Sequence, residues 1–187
     1  MERTRYNYGS YDLSANRPDL YAVVVFLPRE LDMIISLLRE KFDPDYNLIA
    51  SHITIVFPFE TSRSLDMVSA IVSDEVARVG PLQLELSSIG DFYPSDPIIY
   101  WEVKENVALN QLHKSLYGRL DLPLPHRHYI PHVTIAKEIS RHRVILVKER
   151  IVPYLSDENF RPRTLDLVSP VTDHKWVSVR SFPLVRP

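Results

Sequence analysis

The chain has 187 residues, 45% of them hydrophobic and 25% charged, with 22 Lys and Arg against 24 Asp and Glu for a formal net charge of −2. This balance supports a packed core, in one large domain or two small lobes, and excludes a broadly basic nucleic-acid binder. There is no cysteine, which excludes thiol nucleophiles, disulfide scaffolds and Cys-ligated metals.

No apolar run approaches the roughly 18 residues needed to span a membrane, and the N-terminal residues lead into no signal-peptide core. A soluble, cytoplasmic, monomeric protein without an obligatory protein partner is expected. The only glycines are Gly9, Gly80, Gly90 and Gly118. No pair of them has the spacing of a Walker A loop or a dinucleotide fingerprint, so a glycine-rich phosphate cradle is excluded.

Residues 1–19 are polar and Tyr-rich and read as a tail, leaving 20–187 as the folded domain. Leu20 to Leu27 is β-branched and apolar, the pattern of a buried strand. Pro28 ends it and suits the start of a helix, in which Leu31, Ile34, Ile35, Leu38 and Phe42 form a stripe. Asp43-Pro44-Asp45 breaks that helix. Ile49 to Phe57 reads as a strand carrying His52-Ile53-Thr54. Ser64 to Val79 is a second helix stopped by Gly80-Pro81, and Leu82, Leu84 and Leu86 alternate into a strand.

The second half repeats this order. Ile98 to Val103 is a strand and Val107 to Leu120 a helix with a leucine face. Pro123 to His128 is a loop, and Ile130 to Ala136 a strand carrying His132-Val133-Thr134. Arg141 to Val152 reads as a helix, and Thr164 to Val168 and Trp176 to Phe182 as closing strands. Leu84-Glu85-Leu86-Ser87-Ser88 resembles Leu165-Asp166-Leu167-Val168-Ser169. The first begins 32 residues after His52 and the second 33 after His132. The matching register argues for a duplication, with halves at about 20–92 and 97–183.

In a strand, residues i and i+2 share a face. Each motif therefore presents an imidazole and a hydroxyl side by side, and pseudo-twofold packing would bring the two pairs together across a cleft. Imidazoles can act as acid or base near neutral pH, and threonine hydroxyls can donate to phosphoryl oxygens as charge builds on them. The chemistry this favours is phosphodiester cleavage with His52, Thr54, His132 and Thr134 as the catalytic set. A lone His-x-Thr would more readily be structural; two at matching places in a repeat are not so easily dismissed. His126 and His128 lie near His132, but no carboxylate has a convincing ligand spacing, so no metal site is assigned. Arg127 at the cleft rim is a candidate contact for substrate phosphate. Tyr129, like Tyr93, Tyr100 and Trp101, is a candidate base-stacking residue, although Tyr100 and Trp101 must point to opposite faces.

Paired His-x-Thr motifs 80 residues apart, on strands of a duplicated α+β chain, resemble the 2H phosphoesterase superfamily, nearest its 2′-5′ RNA ligase and cyclic phosphodiesterase-like members. Ile130-Pro131-His132-Val133-Thr134-Ile135 matches the pattern well, whereas Ser51 stands where many members have proline. The resemblance implies a two-lobed α+β fold with antiparallel-type sheets lining a central cleft. It implies no cofactor, and a nucleotide or RNA terminus as substrate, bearing a 2′,3′-cyclic phosphate or 2′-5′ linkage. It also implies Phe57 and Lys137 as substrate-binding residues, His132 as base and His52 as acid when a cyclic phosphate opens, and these roles exchanged in ligation. A binding module without turnover is the competing reading, which would have no need of a second imidazole.

Overall fold

The computed structural model describes residues 19–171 and 175–184. The expected N-terminal tail lies outside them except for Asp19, which opens the first strand. The first half runs β1 (Asp19–Phe26), α1 (Arg29–Phe42), β2 (His52–Thr61), α2 (Leu65–Val79) and β3 (Leu84–Asp91). The second runs β4 (Ile99–Val103), α3 (Val107–Arg119), β5 (His132–Ala136), α4 (Val144–Ile151), a short β6 (Glu158–Phe160), β7 (Thr164–Pro170) and β8 (Trp176–Pro183).

Local chemistry sets the boundaries. Pro28 precedes α1, where its missing N–H costs nothing. Ser64 caps α2 through its side chain onto the Met67 N–H, and Asn106 caps α3 onto the Leu109 N–H. Gly80 ends α2 at a φ of 68°, a backbone conformation that favours glycine. The helix expected over 141–152 is shorter: α4 is flanked by single turns of 3-10 helix at Arg141–Arg143 and Val152–Tyr154. Strand β6 had no signal in the sequence; its three residues acquire strand geometry by pairing with β3.

Among the described residues, eight strands form one antiparallel sheet in the order β6-β3-β4-β5-β2-β1-β7-β8. The order is palindromic in the repeat. At the centre β2 meets β5 with Ile53 opposite Val133, so a local dyad passes through that pair. The third strand of each half crosses over: β3 pairs with β4, and β7 with β1. The spatial lobes are therefore β2-β1-β7-β8 and β5-β4-β3-β6, and they do not coincide with the sequence halves.

Strand alternation divides the sheet into two faces. Ile53, Ile55, Val133, Ile135 and Trp101 point into the main core, where they meet Ile35 and Leu38 of α1, Val68 and Val72 of α2, Leu109, Leu112 and Leu116 of α3, and Val147 of α4. The histidines lie on the other face. Beside them a smaller apolar cluster, Ala22, Val24 and Val168 with Phe26 and Trp176 packed against it, covers part of β1, β7 and β8.

Candidate active site

With Ile53 opposite Val133, antiparallel register sets His52 beside Thr134 and Thr54 beside His132. All four motif side chains thus converge on one face of two adjacent strands, as the alternation rule requires. The imidazoles are partly buried and sit diagonally across the dyad.

Each ring is held in the same way. Nδ1 of His52 donates to the Ala50 carbonyl at 2.8 Å, and Nδ1 of His132 donates to the Ile130 carbonyl at 2.7 Å. A carbonyl can only accept, so Nδ1 carries the proton in each neutral ring and Nε2 is left to exchange one with a ligand. Burial disfavours the imidazolium at both positions. It pushes the His52 pKa down to about 4, against the raising effect of the Ala50 carbonyl and with the charges of Arg39, Lys137 and His132 adding to the fall. The His132 pKa is also lowered by burial, with the Ile130 carbonyl opposing it. Burial therefore favours the neutral ring at both positions.

The strand carrying His52 is anchored from below. The buried Arg39 pairs with Asp43 at 2.9 Å, donates to the Ile49 carbonyl at 2.8 Å and lies 3.5 Å from the Ser51 hydroxyl. The Ser51 N–H donates to Asp32 at 3.0 Å. A proline at 51 could not make that bond, so the departure from the usual motif has a structural use. In the second motif Pro131 keeps its carbonyl, which accepts from the Val103 N–H at 3.0 Å.

The walls of the site differ between the lobes. Phe92 stacks on Tyr100 with centroids 4.3 Å apart, and each ring lies 5.0 Å from His132. Tyr100 lies across Gly90, where any Cβ would overlap its ring. Glu102 is directly opposite His132 on β4 and accepts from Ser88 at 2.8 Å. In the other lobe Phe26 is opposite His52, with ring centroids 6.3 Å apart, and Val24 is opposite Thr54.

The four expected substrate contacts fall in different places. Lys137 pairs with Asp45 at 2.9 Å and is close enough for its charge to act on His52. Arg127 is exposed and pairs with Asp96. The Phe57 N–H donates to the Tyr117 hydroxyl oxygen at 3.2 Å, and its ring packs against the main core. The Tyr129 hydroxyl donates to the Thr54 carbonyl at 2.8 Å, and its ring stacks on His113. Of the residues raised as base-stacking candidates, Tyr100 lies against His132, while Trp101 is buried in the core and donates to the Ser87 carbonyl. Arg39, Phe92 and Glu102 had no motif to mark them. Arg39 lies on the apolar stripe of α1, where a buried cation is the one anomaly that could have drawn notice. Among the described residues, no three His, Asp or Glu side chains gather as a metal-ligand set.

An antiparallel sheet that presents two His-x-Thr pairs about a local dyad is the architecture of a two-histidine phosphoesterase. Residues 27–173 match the model of the 2′-5′ RNA ligase superfamily, and the chain belongs to that family. It is 32% identical over 123 residues to a protein of Bacillus licheniformis provisionally named a phosphoesterase, covering 64% of this chain and 72% of the relative. A similarly named protein of Geobacillus kaustophilus is 29% identical over 120 residues, covering 64% and 69%. Among solved structures, the fold is similar to that of Escherichia coli LigT complexed with 3′-AMP. The TM-score is 0.65 at 16% identity, over 90% of this chain and 99% of that one. Among the described residues no helix is long and apolar enough to cross a membrane.

Proposed function

We propose that this protein is a phosphodiesterase that cleaves 2′,3′-cyclic phosphate or 2′-5′ linked nucleotide or RNA termini by two-histidine acid–base catalysis. The carrying observation is the paired geometry: two imidazoles on adjacent strands, each fixed through Nδ1 to a carbonyl two residues earlier, each with a threonine hydroxyl on the same face. That the solved LigT complex holds 3′-AMP supports a nucleotide substrate.

In the forward direction one Nε2 takes a proton from water as its oxygen bonds to phosphorus. The other Nε2 gives a proton to the bridging oxygen as its P–O bond breaks. Thr54 and Thr134 donate to the non-bridging oxygens, where negative charge accumulates. Acid, base and anion stabiliser are all side chains of this chain, so the reaction needs no metal. The family resemblance makes His132 the base and His52 the acid for ring opening. The arriving phosphate brings the negative charge that both buried rings lack, and it draws a proton onto one of them. Burial makes the His52 imidazolium a strong acid once that proton is in place. Run in reverse, with the roles exchanged, the same geometry would join a 2′-hydroxyl to a phosphate.

The test is turnover of 2′,3′-cyclic nucleotides in the presence of EDTA. His52→Ala and His132→Ala should each lose about 10²–10⁴-fold in kcat while remaining folded, and Thr54→Val and Thr134→Val should lose less. A substrate with a good leaving group should restore activity to His52→Ala and not to His132→Ala. Full activity in either alanine variant, or activity abolished by EDTA and restored by zinc, overturns the reading.

A further inference from the structure

The strand that carries Thr54 contains an irregularity immediately after it. Val24 pairs with Thr54, but Val23 pairs with Val56, so Ile55 is an extra residue, a β-bulge. The second motif has the same device: Tyr100 pairs with Thr134 and Ile99 with Ala136, leaving Ile135 extra. Bulges re-aim neighbouring side chains, and they leave backbone groups outside the ladder that need other partners.

In the first motif those partners are aromatic side chains. Nδ1 of His113 donates to the Ile55 carbonyl at 2.7 Å, and the Tyr129 hydroxyl donates to the Thr54 carbonyl at 2.8 Å. The two rings stack nearly parallel, 3.8 Å between centroids and 4° between planes. The Tyr117 hydroxyl takes the Phe57 N–H, and its ring lies 4.7 Å from His113. His113 is only 3% exposed. An imidazole buried that deeply costs desolvation that a leucine would not. The buried positions of α1 are Ile35, Leu38 and Arg39, with no histidine among them, whereas α3 buries His113 beside Leu112, Leu116 and Tyr117.

We propose that His113 and Tyr129 form a positioning pair that holds the Ile55 bulge and thereby aims the Thr54 hydroxyl at the substrate phosphoryl group. Neither residue touches substrate; they act through the backbone of Thr54 and Ile55. The inference rests on the two-histidine reading above. It also gives Tyr129 a different part from the base-stacking one its sequence position suggested.

The test compares Tyr129→Phe, His113→Leu and His113→Asn with the wild type, using a 2′,3′-cyclic nucleotide and recording kcat, KM and thermal midpoint. His52→Ala serves as the reference for loss of the acid–base machinery. Removal of either hydrogen bond should lower kcat by about 10–100-fold with KM within about threefold, as a small misplacement of a catalytic group does. His113→Asn keeps an N–H near the position of Nδ1 and should recover most of the lost kcat. The double variant Tyr129→Phe/His113→Leu should be little worse than either single one. Unchanged kcat in folded Tyr129→Phe and His113→Leu overturns the proposal, as does a lower thermal midpoint with kcat intact, which marks a merely structural role. A fully active His52→Ala, or a wild type that turns over no such substrate, overturns the functional reading instead.

Discussion

Nδ1 of His52 and Nδ1 of His132 each donate to a carbonyl two residues upstream, so the exchangeable proton site on both rings is Nε2. Burial lowers both pKa values in the free protein, that of His52 to about 4. The proposed mechanism needs one neutral ring and one protonated ring. In the free enzyme that singly protonated state becomes more abundant as the pH falls below 6.5 toward the depressed values. Bound phosphate opposes the depression, because an anion beside the rings stabilises an imidazolium. The profile of kcat/KM, which reports the free enzyme, should therefore be bell-shaped with a more acidic optimum than that of kcat, which reports the complex. Steady-state kinetics from pH 4 to 9 check this; coincident optima or a flat profile would contradict it.

At the scale of single elements, the loop between α1 and β2 delivers His52 to the site, and Arg39 ties that loop down. Its guanidinium and the Asp43 carboxylate form an ion pair whose side chains are 4% and 0% exposed. Such a pair is weak evidence for net stability, but removing one partner strands the other charge. Arg39→Met should cost about 3–5 kcal/mol in urea denaturation at pH 7. A loss under about 1 kcal/mol would show that Asp43 finds another partner or a proton. The counterpart on the other lobe is built differently. There Tyr100 and Phe92 form an aromatic wall against His132, and Gly90 is the residue that lets Tyr100 lie flat across β3. The duplicated framework thus puts one imidazole near two cations and the other against two aromatic rings.

For the whole molecule, the exchange of third strands is decisive. Strand β3 leaves its own half to pair with β4 and β6, and β7 leaves its half to pair with β1. A fragment of residues 19–95 would keep β1, α1, β2, α2 and β3 but lose the partners of β3 and one neighbour of β1. It should show no cooperative unfolding transition in circular dichroism, whereas the intact chain should unfold in a single one. Mixing it with residues 96–187 should restore some activity, since the interleaved strands need each other. An independently folded fragment would contradict this.

The sequence by itself determined most of the elements and the residues of the candidate site. Hydrophobic period marked most helices and strands, because burial of one face is a local pattern. Strand alternation put His52 with Thr54, and His132 with Thr134, on one face, because the pleat has a period of two. The repeat register supplied the reason for two copies. Only the tertiary structure decided that the third strands cross over, that β6 exists, and that Ile53 faces Val133 at the dyad, since strand pairing joins residues far apart in the chain. It also decided what lies around each motif. Tyr129 and His113 are distant from Thr54 in sequence, and nothing in their neighbourhoods announces that they hold its strand. Likewise Arg39 in a helix stripe and Glu102 in a strand acquire their place beside the histidines through packing alone. Local pattern names the candidate groups; the long-range contacts that position them and shift their proton affinity exist only once the sheet is assembled.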